Sequence, residues 1–170
     1  LLVEEGDSVK AGTPLFFDRL QENIMYTSPV SGEVVEIKRG EKRKLLEIKI
    51  LADKKITHEQ FTKFTVSEMS SLTKETATEL LTKSGVWPNI IQRPFGSIAD
   101  PTATPKAIFI SAFDTNPLSP NYGILFKGQD QFFQAGIDVL KKFTPGVVHV
   151  NTNADAEVLP MFAHVKGAEV

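Results

Sequence analysis

Up to about residue 50 the apolar positions fall in short groups that repeat every second residue, separated by turns that carry glycine. Gly6-Asp7 and Ala11-Gly12-Thr13-Pro14 are turn signals. Leu15-Phe16-Phe17 and Ile24-Met25-Tyr26-Thr27 are predicted strands. Val34, Val35 and Ile37 predict another, which Gly40 turns. Leu45 to Ile50 closes the set, with Leu46, Ile48 and Ile50 alternating against Glu47 and Lys49. Short strands joined by glycine turns predict a small barrel or sandwich.

Beyond residue 50 the pattern changes. Residues 51–70 are polar and mixed, a linker with a short strand expected at Phe61 to Val66. A helix is expected over Ser71 to Ser84, with Leu72, Thr76, Ala77, Leu80 and Leu81 on one face. Serine opens it, Gly85 is placed to end it, and Pro88 lies beyond. Residues 86–105 are loop-like and proline-rich. Ala107 to Ala112 is a nearly unbroken apolar run, the pattern of a strand buried on both faces of a parallel sheet. A long loop follows, Phe113 to Gly128. Gln129 to Phe143 is a predicted helix, with Phe133, Ile137 and Leu140 on one face. Asp130 near its start and Lys141-Lys142 near its end match the helix dipole. Pro145-Gly146 breaks it, Val147 to Val150 is the next strand, and a further helix is expected over Ala154 to His164, with Pro160 inside it. Strand, helix, strand, helix is a βαβ unit of an open α/β sheet.

Composition narrows the chemistry. The 170 residues carry a net charge of −2, 41% hydrophobic and 24% charged residues, ordinary for a globular chain. That charge gives no general attraction to nucleic acid or an anionic membrane. The absence of cysteine excludes disulfides, thiolate zinc sites, Cys-ligated clusters and a Cys nucleophile within these residues. No apolar run approaches the roughly 20 residues of a transmembrane helix, and no signal peptide opens the chain. The start at Leu1 without methionine, and a strand signal at Glu169-Val170, suggest a piece of something longer.

Two stretches carry a likeness to cofactor chemistry. Val3 to Gly12 and Ser28-Pro29-Val30-Ser31-Gly32-Glu33-Val34 resemble the two halves of a biotinyl or lipoyl carrier hairpin. In such carriers the modified lysine stands at the hairpin tip within Glu-Ala-Met-Lys, ahead of Ala-Pro-x-x-Gly. That slot falls here on Asp18-Arg19-Leu20-Gln21, so Gln21 takes the lysine position. A glutamine amide cannot form the linkage, and Gly12, Pro29 and Gly32 are expected to shape the β module instead. In the βαβ half, the loop Phe113 to Gly123 lacks Gly-x-Gly-x-x-Gly. Its two prolines remove the N–H donors a pyrophosphate needs. Its length and its place after a buried strand still make Asp114, Asn116 and Tyr122 candidates for ligand or subunit docking; the alternative is an Asp/Asn/Pro turn cluster. His58, His149 and His164 have no ligand-like spacing, and Gly-x-Ser-x-Gly is absent. Trp87 and Phe95 around Arg93 are either a stacking site for a planar ligand or anchors of the proline-rich loop.

Longer motifs define a family resemblance. Leu80-Leu81-Thr82-Lys83-Ser84-Gly85-Val86-Trp87-Pro88, Gln92-Arg93-Pro94-Phe95 and Pro105 to Thr115 resemble the A subunit of the sodium-translocating NADH:quinone reductase. Arg39 to Leu45, Phe132-Phe133-Gln134-Ala135-Gly136 and Gly146-Val147-Val148-His149 continue the likeness over nearly the whole chain. The resemblance implies the N-terminal and central part of a peripheral subunit on the cytoplasmic face of a bacterial inner membrane. The complex it implies passes electrons from NADH through FAD, FMN, riboflavin and iron–sulfur centres to ubiquinone and exports sodium. Those cofactors belong to other subunits, so none is expected in this chain. The expected partners are the other subunits and ubiquinone. Related flavin-binding subunits, such as that of respiratory complex I, use a Gly-Gly-Ala-Gly-Phe-Pro loop. The matching place here, Ser84 to Pro88, keeps one glycine and gains Trp87, so no FMN is expected. Trp87, Arg93 and Phe95 are the candidates for a quinone site, which needs an apolar slot and hydrogen-bond donors. A competing assignment is a flavin- or nucleotide-binding oxidoreductase domain. The fold class expected is α+β / α/β. A barrel-sandwich hybrid of the biotinyl/lipoyl type spans 1–55, a linker with one helix and a proline-rich loop 56–105, and an incomplete Rossmann-like α/β domain 106–170.

Overall fold

A computed structural model describes residues 1–69, 71–154 and 158–170. The chain divides into two compact units, Leu1–Thr62 with Thr78–Pro101, and Lys63–Ala77 with Thr102–Val170.

In the first unit, β1 (Ser8–Val9), β4 (Gly32–Arg39) and β5 (Leu45–Ala52) form one antiparallel sheet in the order β1-β4-β5. β2 (Pro14–Asp18) and β3 (Gln21–Thr27) form a separate hairpin. Alternation puts Val3, Val9, Leu15 and Val34 into a shared core, with Phe16, Ile37, Ile48 and Ile50 packed on it. Each such side chain, fully buried, contributes about 1.5–3 kcal/mol. Leu46 departs from the expected alternation and is 55% exposed. The register slips there, because Arg39 pairs with Leu45 while Lys38 pairs with Glu47. That bulge turns one side chain out of phase and leaves Leu45, Ile48 and Ile50 as the partly buried set. Gly32 is fixed by crowding: a Cβ there would lie 2.0 Å from the carbonyl oxygen of Leu51.

The strand expected at Phe61 to Val66 does not form. Thr65 and Glu68 make a capping box instead. The Thr65 N–H donates to Glu68 Oε2 at 2.7 Å, and its hydroxyl donates to the same oxygen at 2.8 Å. The Glu68 N–H approaches Thr65 Oγ1 at 3.4 Å. This starts the single-turn helix α1 (Val66–Met69). Hydrogen bonds from the Thr65 backbone and then its side chain hold the Glu68 carboxyl below its ordinary range. Helix α2 (Lys74–Lys83) begins later than Ser71, because Thr73 Oγ1 accepts from the Thr76 N–H at 3.2 Å and serves as its cap. Thr76 is consequently exposed, while Ala77 and Thr82 are buried. Gly85 ends the helix with φ +74, and the Val86 N–H reaches back to the Leu81 carbonyl at 3.1 Å, as a Schellman closure does. The proline-rich stretch is more ordered than a loop. It holds a 3-10 turn at Trp87–Asn89 and a short hairpin, β6 (Ile91–Gln92) with β7 (Ser97–Ile98).

In the second unit, β8 (Ile108–Ser111) pairs in parallel with β9 (Val148–Asn151). Glu169 makes a parallel bridge to His149 on the opposite edge of β9. The long loop after β8 contains a helical turn, α3 (Tyr122–Leu125), capped by Asn121 Oδ1, which accepts from the Gly123 N–H at 2.8 Å. Helix α4 (Asp130–Leu140) follows, continued by a 3-10 turn over Lys141–Phe143. The helix expected over Ala154 to His164 is confined to α5 (Pro160–Ala163); residues 155–157 of that expectation lie outside the described ones. Pro160 starts α5 rather than interrupting it, since its missing N–H costs nothing in a first turn. Ile137, Phe162, Val148 and Val150 make the core, with Ile108 and Ile110 against it. Among the described residues, the apolar run of β8 is therefore covered on one face only, and Phe109 is 66% exposed.

Candidate functional site

Both parallel strands end at one crevice. Ala112, Asp114 and Tyr122 come from the segment after β8, Thr152 and Asn153 follow β9, and Phe162 forms part of the floor, around about 280 Å³. This is the carboxyl edge of the sheet, where open α/β folds take ligands. Asp114 Oδ1 accepts from the Asn116 backbone N–H at 2.9 Å and from its side-chain amide at 2.7 Å. The Asp114 carbonyl accepts from the Ser119 hydroxyl at 3.0 Å. Asn116 thus acts by holding Asp114, whereas Asp114 and Tyr122 line the crevice. Tyr122 packs edge-on to Phe126, with ring centroids 5.8 Å apart. Thr152 and Asn153 were not among the residues expected here. They occupy the place after β9 that Ala112 and Phe113 occupy after β8, so the strand-end rule applied to both strands would have found them. The described lining joins a carboxylate, hydroxyls and amides to aromatic walls and includes no cationic side chain. It suits a neutral or cationic polar group better than a phosphate.

The three candidates on the proline-rich stretch are placed differently. Trp87 is 3% exposed, and its indole N–H donates to the Ala99 carbonyl at 2.8 Å. Arg93 is exposed at the turn of the β6–β7 hairpin, and Phe95 beside it is 85% exposed. Trp87 is a buried anchor of that hairpin, while Arg93 and Phe95 face solvent.

Neither place that aligns with a cofactor site of carriers or flavin-binding subunits offers the groups that such a cofactor needs. Gln21 opens β3 and pairs with Asp18 across the β2–β3 turn. Asp18 Oδ1 accepts from the Leu20 N–H at 2.8 Å, and Leu20 is 92% exposed. The lysine slot is therefore at a hairpin tip, as in a carrier, but its side chain has no amine to acylate. Ser28 and Ser31 are buried. Ser31 Oγ donates to Asp53 Oδ2 at 2.7 Å and accepts from the Thr57 N–H at 2.9 Å. The Ser-Pro-x-Ser-Gly element is thus engaged in holding the module together. Ser84 to Pro88 follows the carboxyl end of α2, the negative end of the helix dipole, which repels a phosphate. A Cβ on Gly85 would meet Thr27 Oγ1 at 2.4 Å, so that glycine is packed against β3 and offers no open cradle. Among the described residues no cluster of three or more His, Asp or Glu could hold a metal ion. No helix there is long and apolar enough to cross a membrane. His149 stacks on Phe109 at 4.8 Å and lies 3.4 Å from the Glu169 carboxylate.

A carrier-type β module with glutamine at the acceptor position, followed by a parallel α/β unit, defines a two-module class: a barrel-sandwich hybrid coupled to an α/β domain. Residues 1–53 match the NqrA N-terminal barrel-sandwich hybrid domain, and residues 72–170 match the NqrA second alpha/beta domain. The chain is 36% identical over 161 residues to the A subunit of the Na(+)-translocating NADH-quinone reductase of Alcanivorax borkumensis, covering 95% of this chain and 36% of that protein. It is 39% identical over 158 residues to the same subunit of Histophilus somni, covering 92% and 35%. For Vibrio vulnificus the figures are 39% over 150 residues, 87% and 33%. The chain belongs to the NqrA family, the A subunits of the Na(+)-translocating NADH-quinone reductase. It spans about a third of the length of the curated relatives it matches.

Proposed function

We propose that this chain is the N-terminal and central part of a peripheral subunit that carries no redox cofactor of its own. In this reading it sits on the cytoplasmic face of the inner membrane, within a complex that couples electron transfer from NADH to ubiquinone to sodium export. The flavins and iron–sulfur centres reside in other subunits. Residues 1–55 serve as the barrel-sandwich hybrid, 56–105 as the linker, and 106–170 as a Rossmann-like domain. The observation that carries the reading is the match of both modules, in order, to one family of subunits over almost the entire chain. The glutamine at the carrier slot and the phosphate-repelling helix end at Ser84 to Pro88 support the absence of a cofactor.

Two surfaces have roles in this proposal. The crevice of Asp114 and Tyr122, with Asn116 fixing Asp114, docks a neighbouring subunit or a polar ligand. The exposed pair Arg93 and Phe95, on a hairpin anchored by Trp87, contributes to quinone binding: the ring offers stacking area and the guanidinium donates to a quinone carbonyl. The test is sodium-dependent NADH:ubiquinone reduction by the complex assembled with the full-length NqrA polypeptide. Phe95→Ala is expected to raise the apparent KM for quinone about 2–12-fold, since a lost aromatic contact costs about 0.5–1.5 kcal/mol, with assembly unchanged. Asp114→Lys is expected to lower the yield of assembled complex without altering the fold of the polypeptide. An unchanged KM removes Phe95 from the quinone site. A near-stoichiometric flavin absorbance in the isolated full-length polypeptide overturns the cofactor-free reading in favour of a flavin-binding oxidoreductase domain.

A further inference from the structure

Positive charge concentrates at the turn between β4 and β5. Lys38, Arg39, Lys42, Arg43 and Lys44 put five cations into seven residues, against one acid, Glu41. All five are exposed. The acids beside the turn offset them only in part, because Glu36 is paired with Lys49 and Glu47 alone stands opposite Lys38. The chain as a whole carries a net charge of −2, so the surplus is a local property of this tip.

The tip is closed by its own backbone. The Gly40 N–H donates to the Lys44 carbonyl at 2.8 Å, and the Lys44 N–H to the Glu41 carbonyl at 3.2 Å. Arg39 Nη1 donates to the Arg43 carbonyl at 3.4 Å. Lys42 and Arg43 have φ of 54 and 61, in the left-handed region that glycine or asparagine fills more readily. Two long cations there bring the turn a backbone cost, which is the mark of a position kept for its side chains.

Leu46 adds a second, independent feature. The bulge beside Arg39 and Leu45 turns it outward, 55% exposed. Its side chain lies over Gly40, where a Cβ would meet Leu46 Cδ1 at 3.0 Å. An apolar side chain is thereby held among cations at the end of a hairpin. Water gains nothing from that pairing, and an acidic protein segment would use the cations alone. A bilayer surface takes both parts, with anionic headgroups outside and an apolar layer beneath.

We propose that Lys38 to Leu46 is a membrane-surface contact. The lysine and arginine side chains meet the phosphate groups of anionic lipids, and Leu46 enters the headgroup boundary. The inference rests on the proposed function only for the presence of a bilayer beside the subunit.

The test is sedimentation of the full-length polypeptide, purified without its partner subunits, with lipid vesicles. One set is an equimolar mixture of phosphatidylglycerol and phosphatidylcholine, the other phosphatidylcholine alone. Partition onto the anionic vesicles is expected to be at least about tenfold stronger, and to be lost at about 1 M salt, where screening acts within about 3 Å. Lys42→Gln with Arg43→Gln is expected to weaken it about 30-fold, since each cation near the surface contributes about fivefold. Leu46→Ser keeps every charge and is expected to weaken it at least about threefold. Equal partition onto both vesicle types, or undiminished binding by the double variant, overturns the proposal. Undiminished binding by Leu46→Ser, or capture by polyglutamate in place of the vesicles, assigns the tip to an acidic protein segment and also overturns it. Lys38→Gln with Lys44→Gln carries the same test where the first pair does not fold. Copurification of the unaltered polypeptide with the other subunits is read in parallel. Absent vesicle binding with assembly intact defeats this proposal alone, whereas absence of the polypeptide from the complex defeats the proposed function.

Discussion

Gly32→Ala is the sharpest test of what the Ser-Pro-Val-Ser-Gly element does. Its new methyl would stand 2.0 Å from the Leu51 carbonyl oxygen, 2.8 Å from the carbonyl carbon and 3.0 Å from the Ala52 Cα. A carbon–oxygen contact rests at about 3.3 Å, so the two strands must part locally by about 1.3 Å. That movement breaks the hydrogen bond from the Asp53 N–H to the Ser31 carbonyl, now 2.8 Å, and loosens the pairing of Gly32 with Ala52. Two backbone hydrogen bonds at about 0.5–1.5 kcal/mol each, with about 1–3 kcal/mol of overpacking, give a loss of about 2–6 kcal/mol. The comparison is Gly6→Ala, where φ is +94 and no atom lies within 4 Å. Only the left-handed backbone cost of about 1–2 kcal/mol applies there. Urea denaturation of the full-length polypeptide, followed by the far-ultraviolet signal and by exchange of the β4 and β5 amides, measures both. A Gly32→Ala variant no less stable than Gly6→Ala would refute the claim that this glycine is held by strand packing.

Gly136→Ala lies in α4 with open space around the new methyl, and is expected to stabilise the second unit by about 0.5–1 kcal/mol in urea titrations. Its neighbour Ile137, buried in the core of that unit, should cost about 2–5 kcal/mol when changed to alanine; a loss under about 1 kcal/mol would contradict the core assignment. Glu68 has its carboxyl held below the ordinary range by the Thr65 backbone and hydroxyl. Its capping contribution is therefore complete above the unfolded-state value of about 4.3 and is lost as pH falls through the lower folded value. The Thr65 amide resonance should titrate below the free glutamate range, and Glu68→Gln should abolish that titration; a midpoint at or above the free value would count against the capping box.

The β module was legible because two-residue alternation and glycine turns are local properties of the chain. Leu46 misled the pattern because a bulge shifts the phase of one side chain, and composition carries no mark of a bulge. Phe61 to Val66 looked strand-like by its aromatic and β-branched content, yet Thr65 and Glu68 stand three apart, and a capping box outweighs so short a β tendency. The βαβ order of the second unit followed from its hydrophobic runs. The one-sided cover of β8 did not, since an apolar run does not say which of its faces the rest of the protein meets. Of the candidate site, Asp114 and Tyr122 were found from loop length and strand end. Thr152 and Asn153 were missed because a short polar loop attracts no notice until its strand is set beside β8. Trp87 shows the limit of reasoning from residue type: an indole suited to stacking is committed to the Ala99 carbonyl.

The carrier-like hairpin has its tip at Asp18 to Gln21 and its Ser31 hydroxyl bonded to Asp53 and Thr57, while the side chain at the acceptor slot is Gln21. In the proposed function, its hydrogen bonds hold together a module that serves assembly rather than transfer. The proposed function stands on one point, that this polypeptide contributes structure and no redox group of its own. Native mass spectrometry of the full-length NqrA polypeptide, purified without chemical stripping, decides it. The expected mass is that of the bare polypeptide. An added mass equal to a flavin, a lipoyl group or a biotinyl group would contradict the proposal.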